Sequence, residues 1–168
     1  MNIGILGAGS WGIALSVLLQ RRGHGVRMWE YSSTETQMLL AKREHEKKLP
    51  GIRIPDEVVI TNDIGDVVSQ SDHILCVVPT QTMRSTMRHL VKSVPEQAID
   101  AIQGWIIASK GIEVGTLSLM TEVLLQELPG VKLEKLVVLS GPSHAEEVSR
   151  NIPTAVVAAS PSYALATR

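Results

Sequence analysis

A glycine-rich segment close to the start of the chain has the residue types and spacing of a phosphate-binding turn. Residues 7–12 read GAGSWG, which fits the pattern G-x-G-x-x-G. Gly7 permits a tight turn, Gly9 leaves room for a pyrophosphate against the backbone, and Gly12 lets a helix pack closely on a strand. The free N–H groups and the dipole of that helix would face the phosphates. The pattern predicts a dinucleotide site, provided that a strand precedes it and a helix follows it.

An acidic residue follows this turn at the distance expected for recognition of a ribose. Glu30 lies eighteen residues after Gly12, at the end of the second predicted strand. A carboxylate there accepts hydrogen bonds from the ribose hydroxyls and repels a 2′-phosphate, which favours NAD over NADP. Arg27 is close in sequence and could serve a 2′-phosphate, so NADP stays open as the cofactor. The alternative to nucleotide binding is an ordinary strand–turn–helix unit with a solvated Glu30.

Polar segments follow three later predicted strands. Ligands of open α/β sheets bind beyond the carboxyl ends of the strands, so these segments are candidate binding residues. They contain Pro79 after the third strand, Lys110 after the fourth and Ser143 after the fifth. Lys110 would point into the crevice and polarise a carbonyl or pair with a phosphate, the alternative being a surface lysine. Ser143 is expected to cap a short helix, with Glu146 three residues later as in a capping box.

The hydrophobic pattern predicts the elements that carry these residues. Apolar runs bounded by Gly or Pro predict strands over residues 3–6, 26–29, 74–78, 104–108 and 136–139, and one more over 153–159. Helices are predicted over residues 10–22, 34–48, 85–92 and 117–127. Strands alternating with helices indicate the α/β class, with a Rossmann-type doubly wound, mostly parallel sheet and helices on both faces.

Composition excludes several kinds of protein. The 168 residues include 16 basic and 17 acidic side chains, and a net charge of −1 argues against nucleic-acid binding by charge. The single cysteine, Cys76, cannot form an internal disulfide, which favours a cytoplasmic protein. Residues 1–20 are uncharged, but Arg21 and Arg22 come after them, and their glycines and polar residues fit neither a signal peptide nor a membrane span. The histidines and the cysteine lack metal-ligand spacing, so no metal site is expected.

The same segments carry a resemblance to a known family. The chain resembles the N-terminal half of the NAD(P)-dependent glycerol-3-phosphate dehydrogenases of the bacterial type. The matching segments run in the family's order, cover nearly the whole chain, and fall within residues 7–15, 49–56, 78–81, 108–113 and 139–156.

The resemblance implies a role for each candidate residue. Lys110 would be the catalytic residue and would bind the substrate together with Gly141 and Ser143. The implied reaction transfers a hydride between NADH and dihydroxyacetone phosphate to give glycerol 3-phosphate, a glycerophospholipid precursor. The implied parent enzyme is a homodimer. The implied cofactor contacts are Gly7, Gly9, Ser10, Trp11, Gly12, Glu30, Tyr31, Pro79, Lys110 and Ala145.

The sequence departs from the family in three respects. His144 stands where the family usually has Phe, and Thr82 with Met83 stands where it often has a bulky aromatic residue. The family's second, all-helical domain, with another essential lysine, has no counterpart in residues 1–168, which correspond to the NAD-binding domain alone. Hydride transfer requires both reactants held together with water excluded, so we expect this fragment alone to be inactive and to expose apolar surface.

Two other interpretations remain. The chain could begin another two-domain dehydrogenase, such as a β-hydroxyacid dehydrogenase or a ketopantoate reductase, although residues 109–111 and 140–143 argue against these. It could also be a non-catalytic module that binds NAD(H) and serves as a sensor or subunit.

Overall fold

Seven strands form one sheet in the computed structural model, which describes residues 1–168. The strands are β1 (Asn2–Leu6), β2 (Gly25–Trp29), β3 (Val59–Thr61), β4 (His73–Cys76), β5 (Gly104–Ile107), β6 (Leu136–Ser140) and β7 (Val157–Ala159). The order across the sheet is β3-β2-β1-β4-β5-β6-β7, and every pair is parallel except β6 with β7. The predicted Rossmann-type α/β class is therefore confirmed.

Helices cover both faces of the sheet. Side chains alternate between the faces along each strand, so that Ile74 and Cys76 of β4 join one hydrophobic cluster and Leu75 joins the other. The helices are α1 (Ser10–Arg21), α2 (Ser33–Lys42), α3 (Ile64–Ser69), α4 (Met83–Ser93), α5 (Glu96–Ala101), α6 (Met120–Glu127), α7 (Ala145–Ser149) and α8 (Tyr163–Ala166). The first cluster packs beneath α3 to α6, and the second beneath α1, α2 and α7.

The unit β1–α1–β2 forms as predicted. Four consecutive residues at the end of β1 are buried, as expected for a strand covered on both faces. Gly12 lies at the closest approach of α1 to the turn, where an added Cβ would collide with the carbonyl oxygen of Gly7. The third glycine of the motif thus allows the helix to pack against the strand.

The predicted helix over residues 34–48 is wrong in its second half. It ends at Lys42, and Arg43 adopts a left-handed conformation with φ 51°. The chain turns there because Leu49 and Ile54 further on are buried in the core, which a straight solvated helix would not allow. The guanidinium of Arg43 holds the turn by donating a hydrogen bond to the carbonyl of Val58 at 2.7 Å.

Other boundaries also differ from the prediction. The helix predicted from residue 117 begins at Met120, because Leu117 has φ 58°. The last strand is confined to Val157–Ala159 and is antiparallel. Four short elements, β3, α3, α5 and α8, were not predicted. None of the helices combines the length and apolar character needed to cross a membrane.

Candidate functional site

A cleft of about 940 Å³ opens at the carboxyl ends of the central parallel strands. It lies where the strand order reverses between β1 and β4, which is the position that ligands take in open α/β sheets. Gly12 and Gly141 are the two predicted site residues that do not line it. The cleft brings together the other ten, which are Gly7, Gly9, Ser10, Trp11, Glu30, Tyr31, Pro79, Lys110, Ser143 and Ala145.

The start of α1 forms one wall of this cleft. Gly9 is the N-cap residue, with an extended backbone and no side-chain hydrogen bond to the first turn. The first N–H groups of a helix have no partner within the helix, so here they remain free for an anion. A Cβ built on Gly9 would meet no atom within 4 Å, which leaves open space beside the backbone. The wall therefore offers uncapped donors and the room that a phosphate group requires.

The end of β2 contributes a carboxylate and an aromatic side chain. Glu30 is 9% exposed, and its Oε1 accepts a hydrogen bond from the backbone N–H of Ser32 at 3.0 Å. Tyr31 is 79% exposed and packs edge-on against the buried Trp29, with ring centroids 6.1 Å apart. A largely buried carboxylate at a strand end beside an open aromatic ring can bind hydroxyl groups and the plane of a base.

Arg27 is not among the residues that line the cleft, and its guanidinium pairs with the carboxylate of Asp66 at 2.9 Å. Arg27 would have to leave Asp66 before it could serve a 2′-phosphate, and NADP stays open as the cofactor. The cation that lines the cleft near β2 is Lys48, whose ammonium is paired with Glu35 at 2.6 Å. The hydrogen bond from Lys48 and the field of its ammonium hold the pKa of the Glu35 carboxyl below its usual value.

The ends of β5 and β6 meet at Lys110. Its Nζ donates a hydrogen bond to the carbonyl oxygen of Gly141 at 2.9 Å. Its own carbonyl accepts a hydrogen bond from the hydroxyl of Thr80 at 2.6 Å. Lys110 is thus held at both ends in the crevice, as predicted from its position after a strand. Gly141 does not line the cleft itself, but its carbonyl oxygen accepts the hydrogen bond from Lys110.

The predicted cap of the helix after β6 is wrong. α7 begins at Ala145, so that His144 is the N-cap residue, and its side chain makes no capping hydrogen bond. The N–H of Ser143 instead donates to the carbonyl of Gly141 at 2.9 Å, which closes a turn before the helix starts. Ala145 is buried and Ser143 lines the cleft, but neither has a capping role.

Sequence reasoning missed the contribution of α4. Ser85, Thr86 and His89 line the cleft, and the His89 ring lies 6.0 Å from that of Trp29. The spacing of Thr86 and His89 places them on one helix face, but nothing in the sequence relates that face to the glycine turn. Thr82 and Met83 stand where the family often has a bulky aromatic residue. Thr82 lines the cleft and Met83 is fully buried. No group of three or more His, Cys, Asp or Glu side chains is arranged to hold a metal ion.

Known proteins are similar to this chain in sequence. A family model described as NAD-dependent glycerol-3-phosphate dehydrogenase N-terminus matches residues 2–166. A relative from Chlorobium limicola, named glycerol-3-phosphate dehydrogenase (NAD(P)+), is 42% identical over 170 residues, covering 100% of this chain and 49% of that protein. A relative of the same name from Pelodictyon phaeoclathratiforme is 45% identical, covering 99% of this chain and 48% of its own.

A solved structure is similar as well. The crystal structure of glycerol-3-phosphate dehydrogenase from Coxiella burnetii superimposes with a TM-score of 0.86 at 32% identity, covering 99% of this chain and 48% of the other. The chain therefore spans about half the length of the curated relatives that it matches.

Proposed function

Because this chain belongs to the family of the NAD-dependent glycerol-3-phosphate dehydrogenase N-terminus, we propose that it binds a nicotinamide dinucleotide in the cleft. The observation that carries the proposal is the uncapped start of α1 beside Gly9, at the reversal of strand order. The pyrophosphate would lie against these N–H groups. Ser10 and Trp11 would contact it from the first turn of the helix.

The two ends of the cleft suit the two ends of such a cofactor. Glu30 would accept hydrogen bonds from the adenosine ribose, and Tyr31 would flank the adenosine. Pro79, Ala145 and Lys110 line the opposite end and would contact the nicotinamide. NAD is favoured over NADP because Glu30 would repel a 2′-phosphate while Arg27 is paired with Asp66.

The activity that we propose for the whole protein is hydride transfer between NADH and dihydroxyacetone phosphate. A hydride would pass from the nicotinamide to the carbonyl carbon, and a proton to the carbonyl oxygen, giving sn-glycerol 3-phosphate. Lys110 would polarise that carbonyl or pair with the phosphate from its position at the ends of β5 and β6. Gly141 and Ser143 would complete the substrate site. The product would serve glycerophospholipid synthesis in the cytoplasm, and the whole protein would be a homodimer.

We propose that residues 1–168 form the cofactor-binding domain and that a second domain completes the active site. The cleft supports this division, because Lys110 and His144 at its rim are exposed to solvent. Relatives with about twice the length have sequence that could cover it.

The proposal is tested by titrating the protein with NADH and, separately, with NADPH, while following nicotinamide fluorescence. We expect saturable binding of both, tighter for NADH. The absence of saturation with either cofactor would contradict the proposal. Binding without any turnover in a chain completed by a second domain would favour the non-catalytic module instead.

A further inference from the structure

The loop that carries Lys110 has little apolar contact to hold it. It joins β5 to α6, and we define the lysine loop as residues 108–119. Val114 and Leu117 within it are 78% and 71% exposed. The regular pairing inside the loop is one isolated bridge between Ile112 and Leu119. A segment with so few buried apolar side chains is fixed mainly by polar contacts.

Gln81 makes two hydrogen bonds to the backbone of the lysine loop. Its Nε2 donates to the carbonyl of Ile112 at 2.9 Å, and its Oε1 accepts from the N–H of Val114 at 2.9 Å. The Gln81 amide thus pairs with the backbone on both sides of Glu113, as a neighbouring strand would. Thr80 adds a third hydrogen bond by donating from its hydroxyl to the carbonyl of Lys110 at 2.6 Å.

Arg84 holds the lysine loop through Glu113. Its Nε donates to Oε1 and its Nη2 to Oε2 of that carboxylate, both at 2.8 Å. Arg84 is itself fixed from behind by Glu127, whose Oε1 lies 2.6 Å from Nη1. The side chains of Arg84 and Glu113 are only 19% and 11% exposed, so this two-point contact is shielded from water.

These contacts fix the part of the loop that follows Lys110, a residue that lines the cleft. Lys110 lies three residues before Glu113, and its ammonium reaches the carbonyl of Gly141 at 2.9 Å. If the loop moved, the ammonium would lose a fixed position relative to the cleft. We propose that Gln81 and Arg84 are positioning residues that fix Lys110 at the nicotinamide end of the cleft, an inference that rests on the proposed function.

The test compares Gln81→Ala with Gln97→Ala, a matched change on α5. Gln81 is exposed, so its loss leaves no buried group unpaired, and we expect an unchanged melting temperature. Hydrogen exchange of residues 109–119 should accelerate about tenfold or more in Gln81→Ala and should not change in Gln97→Ala. The rate at which Lys110 is acetylated, measured by mass spectrometry, should also rise in Gln81→Ala and should not change in Gln97→Ala. Arg84→Lys should retain more exchange protection than Arg84→Met.

Two ligands separate positioning from a general structural effect. ADP-ribose lacks the nicotinamide, so it reports on the rest of the site alone. Gln81→Ala should raise the Kd of NADH about threefold to tenfold and leave the Kd of ADP-ribose within about twofold. Lys110→Ala should have the same selective effect, and the double variant should bind no worse than Lys110→Ala, because Gln81 acts through Lys110.

Three results would overturn the inference. They are unchanged hydrogen exchange in Gln81→Ala, an equal loss of NADH and ADP-ribose, and additivity of the two substitutions. If the wild-type protein binds neither ligand, the proposed function fails, and exchange together with Lys110 acetylation decides whether the loop is held as described.

Discussion

The ammonium of Lys110 is hydrogen-bonded to the carbonyl of Gly141 at 2.9 Å, although the two residues are 31 positions apart. The parallel pairing of β5 with β6 brings their carboxyl ends side by side and makes this contact. The contact joins the two segments assigned to the substrate by family resemblance. An oxygen of a substrate carbonyl or phosphate at this point would replace the carbonyl oxygen of Gly141 as the hydrogen-bond acceptor of the ammonium.

Substitution of Gly9 should weaken cofactor binding and leave the fold intact. The backbone of Gly9 has φ −73°, and an added Cβ meets no protein atom, so Gly9→Ala costs the folded chain little. The same Cβ would occupy the space proposed for the pyrophosphate. Fluorescence titration should show a Kd for NADH raised at least about tenfold, which is about 1.4 kcal/mol. Gly9→Ser, which can cap α1, should also lose binding while keeping its melting temperature. Normal affinity in both variants would place the pyrophosphate elsewhere.

Substitution of Gly12 should have the opposite outcome. Alanine within a helix is worth about 1 kcal/mol more than glycine, so Gly12→Ala would be stabilising on an open surface. Here the new Cβ would collide with the carbonyl of Gly7, and overpacking of this kind costs about 1–3 kcal/mol or more. A backbone carbonyl cannot move aside as a flexible side chain can. We expect a melting temperature about 2–12 °C lower, at about 2–4 °C per kcal/mol. An unchanged or higher melting temperature would show that α1 has room to move away from the turn.

The long apolar runs predicted the fold because parallel central strands are buried on both faces. Ile74 and Leu75 show why, since they belong to opposite clusters and both must be apolar. Short elements were missed because they carry few residues. β3 has three residues, and α3 has six, although the carboxylate of Asp63 that caps it at 2.8 Å was a readable signal.

The site was predictable where it follows strand ends and not where it depends on packing between elements. Lys110 was found from its place after a strand. His89 was missed, because it reaches the cleft through the packing of α4 against Trp29. The turn at Arg43 was missed for a similar reason: it is fixed by a hydrogen bond to Val58, fifteen residues away.

Removal of the charge at Glu30 should alter the preference between the two cofactors. Glu30→Gln loses the charged acceptor for the ribose hydroxyls and the repulsion of a 2′-phosphate. We expect the Kd of NADH to rise about tenfold, the scale of one hydrogen bond to a charged group, and the Kd of NADPH to fall. Glu57→Gln, an exposed change outside the cleft, should alter neither value. An unchanged ratio of the two constants in Glu30→Gln would remove Glu30 from cofactor selection.

Stability should depend on the ionisation of Glu113 in acid. Hydrogen bonds from Arg84 and Thr116 lower the pKa of Glu113 from 4.5 to about 2. A carboxylate with a lowered pKa stabilises the folded state fully above pH 4.5 and loses that contribution as the pH falls from 4.5 towards 2. Glu113→Gln should therefore lower the melting temperature at pH 6.5 and show a shallower decline between pH 5 and pH 3. Glu134→Gln, an exposed change, should follow the wild-type curve. Parallel curves for Glu113→Gln and wild type would mean that the ion pair contributes nothing to stability.

Hydride transfer should require a second domain over the cleft. Lys110 and His144 are exposed at its rim, so water reaches the proposed reaction centre, and we expect no turnover of dihydroxyacetone phosphate with NADH by residues 1–168 alone. Fusion to the remaining half of the Chlorobium limicola relative should restore turnover to about 1 per second or more, the ordinary range for enzymes. In that fusion Lys110→Ala should lower kcat at least about a hundredfold, while Lys92→Ala, a change of an exposed lysine on α4, should have no effect. Turnover near 1 per second by residues 1–168 without a partner would show that the cleft is already a complete active site.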